Sequence, residues 1–102
     1  MIVCKVIGTV VCTQKDEKLT GAKLQVVLPI NMENGSPDGK PIVAVDSIGA
    51  GTGEWVLVVS GSSARQTTRT KDTPVDAVIM AIIDTVEVEG RITFQKHLER
   101  ES

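Results

Sequence analysis

Large aromatic rings are almost missing from this 102-residue chain, which has one Trp, one Phe and no Tyr. A core without them has to be filled by Val, Ile, Leu, Met and Ala, which suits a narrow barrel better than a wide ligand cavity. Histidine occurs once, as His97 close to the end, and the two cysteines are Cys4 and Cys12. That inventory leaves structural zinc without a ligand set, contains no CxxC pair, and makes any Ser-His-Asp triad depend on a tail residue. No run approaches the ~20 apolar residues of a membrane span. No signal-peptide arrangement opens the chain, so it reads as cytoplasmic. Clustered basic charge is absent too. Eleven Lys and Arg are scattered among 13 acids for a net charge of -2, whereas binding to phosphate backbones runs on concentrated cations.

What the chain does have is short β-branched segments separated by turn chemistry. Met1 to Thr13 alternates Lys5, Thr9 and Thr13 against Cys4, Val6, Val10 and Cys12, which is a strand with a bend or bulge expected at Gly8. On one extended strand Cys4 and Cys12 would stand ~26 Å apart, beyond disulfide reach. They read as two small buried hydrophobes on the face of Val6 and Val10. Residues 14–18 are a charged, solvated connection. Leu19 to Ile30 is a second strand in which Leu24, Val26, Leu28 and Ile30 share a face, and Pro29, which cannot donate to a ladder, places that end at an edge or just outside the sheet. Asn34-Gly35, Pro37, Asp38-Gly39 and Pro41 mark a surface loop or wide hairpin.

Ile42 to Ile48 is a third strand, interrupted by Asp46, and Trp55 to Ser60 is a fourth. Ser62 or Ser63 can cap a short helical turn. Thr73-Pro74-Val75-Asp76 starts another turn. The β-branched run from Val78 to Val88 then favours one strand over a helix. Glu89-Gly90-Arg91 turns it back into Ile92 to Lys96 as a terminal hairpin. The expected fold is all-β: a small five- to six-stranded OB-like closed barrel with one or two short helical turns and a C-terminal hairpin. It forms one domain over residues 1–96, followed by a polar tail, 97–102.

A barrel has one inside, yet Val56 to Val59 and Val78 to Ile83 are apolar on both faces. One face therefore needs cover from outside, and a soluble monomer rarely exposes a large continuous apolar patch. Association with further copies follows from this surface excess; the number of copies does not.

Catalytic and nucleotide motifs fail on inspection. Gly49-Ala50-Gly51-Thr52-Gly53-Glu54 is half a dinucleotide fingerprint, with Glu54 in place of the third glycine and a strand following where a helix should. Gly35 to Lys40 is one residue short of a P-loop, and Pro41 stands where Ser or Thr would bind magnesium. Gly61-Ser62-Ser63-Ala64-Arg65 lacks the second glycine of a nucleophile elbow. No catalytic, metal or cofactor residues are assigned. Asp46, Glu54, Asp76 and Asp84 lie in or beside apolar strands, and Arg65 is the candidate partner for one of them, which the sequence does not choose. The competing function is an OB-like barrel that binds single-stranded nucleic acid by base stacking, for which Trp55 and Phe94 are the only platforms.

One stretch, "GAGTGEWVLVVSGSSAR", preceded by "VAVDSI" and followed by "PVDAVIMAIIDTVEV", closely resembles the pentameric vertex proteins of bacterial microcompartment shells, the EutN/CcmL family. The opening "GTVVCTQKDEKLTGAKL" resembles them too, so the likeness runs from about Ile2 to about Lys96. It implies a non-enzymatic β-barrel protomer, a homopentamer in preference to a hexamer, that caps the corners of a polyhedral shell built from hexameric shell proteins in the cytoplasm. The opening is more similar to carboxysome members and the glycine-rich stretch to ethanolamine-utilisation members. Cyclic closure requires two different patches to meet. The expected interface residues are Trp55, Ser62, Ser63, Arg65, Val78, Met80 and Ile82. The resemblance puts Gly49, Ala50, Gly51 and Thr52 near the ring centre, lining a narrow pore that is either a solute conduit or a packing remnant.

Overall fold

The computed structural model describes residues 1–13, 23–61 and 76–96. The charged connection at 14–18, the Ser62, Ser63 and Arg65 loop, the helical turns expected near Ser62 and Thr73, and the tail with His97 lie outside the described residues. Seven strands are described: β1 (Ile2–Val10), β2 (Lys23–Pro29), β3 (Ile42–Asp46), β4 (Trp55–Ser60), β5 (Ala77–Ile82), β6 (Thr85–Val88) and β7 (Arg91–Gln95). The first five close into a barrel in the order β1-β2-β3-β5-β4, and β6 and β7 form a separate two-stranded sheet. Every barrel pairing is antiparallel except β3 with β5, which run parallel and meet at Val45 and Val78.

Small residues make the narrow bore possible. Cys4, Val6, Val27, Ala44, Ala50, Val56, Val58, Ala77 and Ile79 fill it, with Ile42 and Ile82 packed against them. A second cluster lies outside the wall. Val45, Val59 and Val78 are buried with Leu24 packed against them, and the pairings Leu24–Val45, Val45–Val78 and Val78–Val59 make this one stripe across four strands. Part of the outer apolar surface is thus buried within the single chain. Leu24, Val26 and Leu28 do share a face, but the bore side of β2 carries the alternate residues Gln25 and Val27.

Two bulges change the faces expected from simple alternation. The β1–β2 register shifts between Val6 and Gly8, so Cys4 and Val6 point inward before the shift, whereas after it Thr9 stands opposite the inward Gln25. Pairing ends at Val10, and Cys12 beyond it is exposed while Cys4 is buried. The expectation that both cysteines are buried on one face is therefore corrected, because an inserted residue reverses the parity. On the other side, Val58 pairs with Ile79 and Leu57 with Ala81, which leaves Met80 as the extra residue of β5.

The run Val78 to Val88 is two strands rather than one. β5 ends where Ile83 N–H donates to the Trp55 carbonyl at 2.8 Å, and Lys96 N–H donates to the Asp84 carbonyl at 2.9 Å as the hairpin begins. The hairpin turns on Glu89 (φ 52°) and Gly90 (φ 78°), both left-handed, between the paired Val88 and Arg91. This is the two-residue turn whose twist suits antiparallel strands. A third cluster, Ile30, Trp55 and Phe94 with Val3, Leu28, Ile83 and Val86, glues the hairpin to the barrel.

Candidate functional site

The glycine loop between β3 and β4 is held from both ends by carboxylates. Asp46, the last residue of β3, is 2 % exposed. Its Oδ1 accepts from the N–H groups of Ile48 and Gly49 at 3.0 Å each, and its Oδ2 accepts from Ala50 N–H at 2.8 Å. Gln25 Nε2 donates both to Asp46 Oδ2 at 3.1 Å and to the Ala50 carbonyl at 2.7 Å, while the Thr9 hydroxyl donates to Gln25 Oε1 at 2.9 Å. A buried carboxylate needs several donors to offset its desolvation, and here backbone amides and one side-chain amide supply them. The expectation that Arg65 pairs with one of the four acids lies outside the described residues.

At the other end, Gly51 N–H donates to Glu54 Oε1 at 2.6 Å, and Lys96 Nζ stands 2.6 Å from Glu54 Oε2. Four successive amides, 48 to 51, are therefore captured by two flanking acids. Glycine is required by conformation at Gly49 (φ 86°) and Gly53 (φ 92°). Ser47, Ile48, Gly49, Thr52 and Gly53 are exposed, whereas the Ala50 methyl lies in the barrel core. Of the expected pore residues, Gly49 and Thr52 face solvent, Gly51 is half-buried, and Ala50 contributes a buried side chain. A cleft of ≈ 380 Å³ lies beside the loop, lined by Lys5, Thr52, Glu54, Phe94 and Lys96 among others.

The expected interface residues separate in the structure. Val78 belongs to the buried outer stripe, Met80 is 44 % exposed at its bulge, and Ile82 packs against the bore. Trp55 is 8 % exposed and stacks on Phe94, with centroids 4.2 Å apart and planes 13° from parallel. That stack removes the basis of the nucleic-acid alternative. Each ring sets one face against the other, and with both rings buried in the cluster neither offers a free face to a base.

Sequence reasoning passed over Gln25 and Lys96. Gln25 carried a usable signal, a polar residue at a strand position flanked by apolar neighbours. Lys96 carried none, since its partner is fixed by hairpin docking. The Cys4 thiol is pushed up from 9.0 to about 11 by burial, which keeps it protonated and unreactive.

The family model "Ethanolamine utilisation protein EutN/carboxysome" matches residues 1–84. The bacterial microcompartment shell vertex protein EutN of Salmonella typhimurium is 50% identical over 91 residues, covering 89% of this chain and 91% of that protein. The solved structure of Gloeobacter violaceus CcmL superposes with a TM-score of 0.87 at 42% identity, covering 95% of this chain and 99% of the other. The GrpN pentameric microcompartment shell protein from Rhodospirillum rubrum gives 0.76 at 49% identity, covering 86% and 99%. With a family model matching residues 1–84, a closely superposable fold and near-complete coverage in both directions, this chain belongs to the EutN/CcmL family.

Proposed function

We propose that this chain is a non-enzymatic shell protein that assembles into a ring of five and caps the vertices of a bacterial microcompartment, inside the cytoplasm. The observation that carries this is 50% identity over 89% of the chain to a protein named as a shell vertex protein, joined by a 49% identical solved relative described as pentameric. Five-fold symmetry supplies the curvature that lets a lattice of flat tiles close, and the neighbours of such a ring are hexameric shell proteins.

A ring needs a heterologous interface, one patch meeting a different patch on the next copy, with about 800 Å² buried per partner. The glycine loop, the Ser62, Ser63 and Arg65 segment and the outer side of β4 and β5 are assigned to it. Within that set Met80 on β5 and Ile48 in the glycine loop are exposed apolar side chains available for contact, and exposed Ile7 and Val43 are apolar candidates for the complementary patch. Trp55, Val78 and Ile82 support these surfaces from beneath. Gly49, Gly51 and Thr52 are assigned to the rim of the axial opening, with Ala50 anchoring it.

The test is co-production with hexameric shell proteins, with and without this chain, viewed by electron microscopy. Closed polyhedral shells that appear only with the chain support the reading. Identical shells in both samples contradict it.

A further inference from the structure

We propose that Asp46 and Glu54 are positioning residues that hold the glycine loop in one shape before assembly, so that the ring face is preformed in the free protomer. Flexibility is the usual reading of Gly-Ala-Gly-Thr-Gly, because glycine loses the most freedom on ordering. The hydrogen bonds reverse that reading. The amides of Ile48, Gly49 and Ala50 converge on the Asp46 carboxylate, and the next amide, Gly51, goes to Glu54. Gly53 N–H then donates to the Val6 carbonyl at 2.8 Å and Glu54 N–H to the Gly51 carbonyl at 3.1 Å. Carboxylates make stronger acceptors than neutral groups, and in a buried setting the contrast grows.

Each clamp is tied to a different part of the fold. Gln25 connects Asp46 and the Ala50 carbonyl to the middle of β2, and Thr9 connects Gln25 to β1. Lys96 connects Glu54 to the end of the C-terminal hairpin. The entrance of the loop therefore follows the barrel wall, and its exit follows the docked hairpin. A loop fixed this way adds little ordering cost when a second copy packs on it, which is the general benefit of preorganisation. The consequence for assembly rests on the ring reading above; the consequence for loop order does not.

The experiment is site-resolved amide hydrogen exchange on the full chain, beside native mass spectrometry across a dilution series, for wild type, Asp46→Asn and Glu54→Met. Asp46→Asn keeps one acceptor and turns a donor toward Ala50 N–H and Gln25 Nε2. Exchange should rise at least tenfold at Ala50, which loses its acceptor, and by less at residues 48 and 49, whose acceptor becomes neutral, while amides of Val27 and Val56 keep their wild-type rates. Glu54→Met should do the same at Gly51 alone. In both variants the concentration at which half the chains are in rings should rise about tenfold, the effect of restoring freedom to roughly one residue.

Unchanged exchange at 48–51 overturns the proposal. So does uniform acceleration through the barrel, which makes the acids merely structural. Local acceleration with unchanged ring formation also overturns it and leaves the ring reading intact. A wild-type chain that stays monomeric contradicts the ring reading itself, and that result comes before any variant is made.

Discussion

Trp55 and Phe94, the only Trp and the only Phe of the chain, stack on each other with centroids 4.2 Å apart. One stands at the start of β4 on the barrel and the other on β7 of the hairpin. Their contact is the centre of the cluster that fastens the two sheets together. Replacing Phe94 by Ala should cost about 3 kcal/mol, the usual loss for a buried ring. Because Trp55 is the sole indole, its fluorescence reports the change directly. The expected outcome is a red-shifted emission and a lower urea midpoint; unshifted emission would mean that the hairpin holds without the stack.

Gly35 packs on the same indole from the loop side. An added Cβ would lie 3.1 Å from Trp55 Cζ2, and the residue has φ 76°. Both steric contact and left-handed backbone disfavour alanine there. Gly35→Ala should destabilise by about 1–3 kcal/mol, read as a fall in the thermal midpoint.

At the hairpin turn the substitution should run the other way. Glu89 holds φ 52° with a side chain that this region disfavours, whereas Asn tolerates it at the first position of such turns. Glu89→Asn is expected to stabilise by about 0.5–1 kcal/mol. Denaturant titration at constant slope checks it, and a lower midpoint would contradict the turn assignment.

The cysteines provide a pH test. Burial raises the Cys4 thiol from 9.0 to about 11, so between those values the unfolded chain releases this proton and the folded chain keeps it. The stability linked to Cys4 is fully present below pH 9 and is lost as pH rises toward 11. In Cys4→Ala that part of the alkaline decline should vanish. Near pH 8 a thiol reagent should label exposed Cys12 in the native protein and reach Cys4 only on unfolding.

The strands were largely legible because alternation and turn residues act locally. β4 has the bounds expected from its run of β-branched residues, and Gly8 marks a real register shift. What escaped was the effect of that shift on everything after it, since a single inserted residue exchanges inside for outside. Cys12 was misplaced for that reason, and Met80 and Ile82 were named together as interface residues although Met80 is the extra residue of a second bulge and Ile82 packs against the bore. Asp46 was noticed as an interruption, but its role depends on backbone amides converging from the following loop and on Gln25 from a strand distant in sequence. Such convergence is created by closure of the barrel. The excess of apolar strand surface was expected to need cover from other copies, whereas the Val45–Val59–Val78 stripe is covered within the chain.

The central claim is that copies of this barrel close into a ring of five. Native mass spectrometry of the purified chain at micromolar concentration tests it most directly. The account predicts one dominant species at five times the 10.9 kDa chain mass. A dominant monomer, or a dominant species of any other multiple, would contradict it.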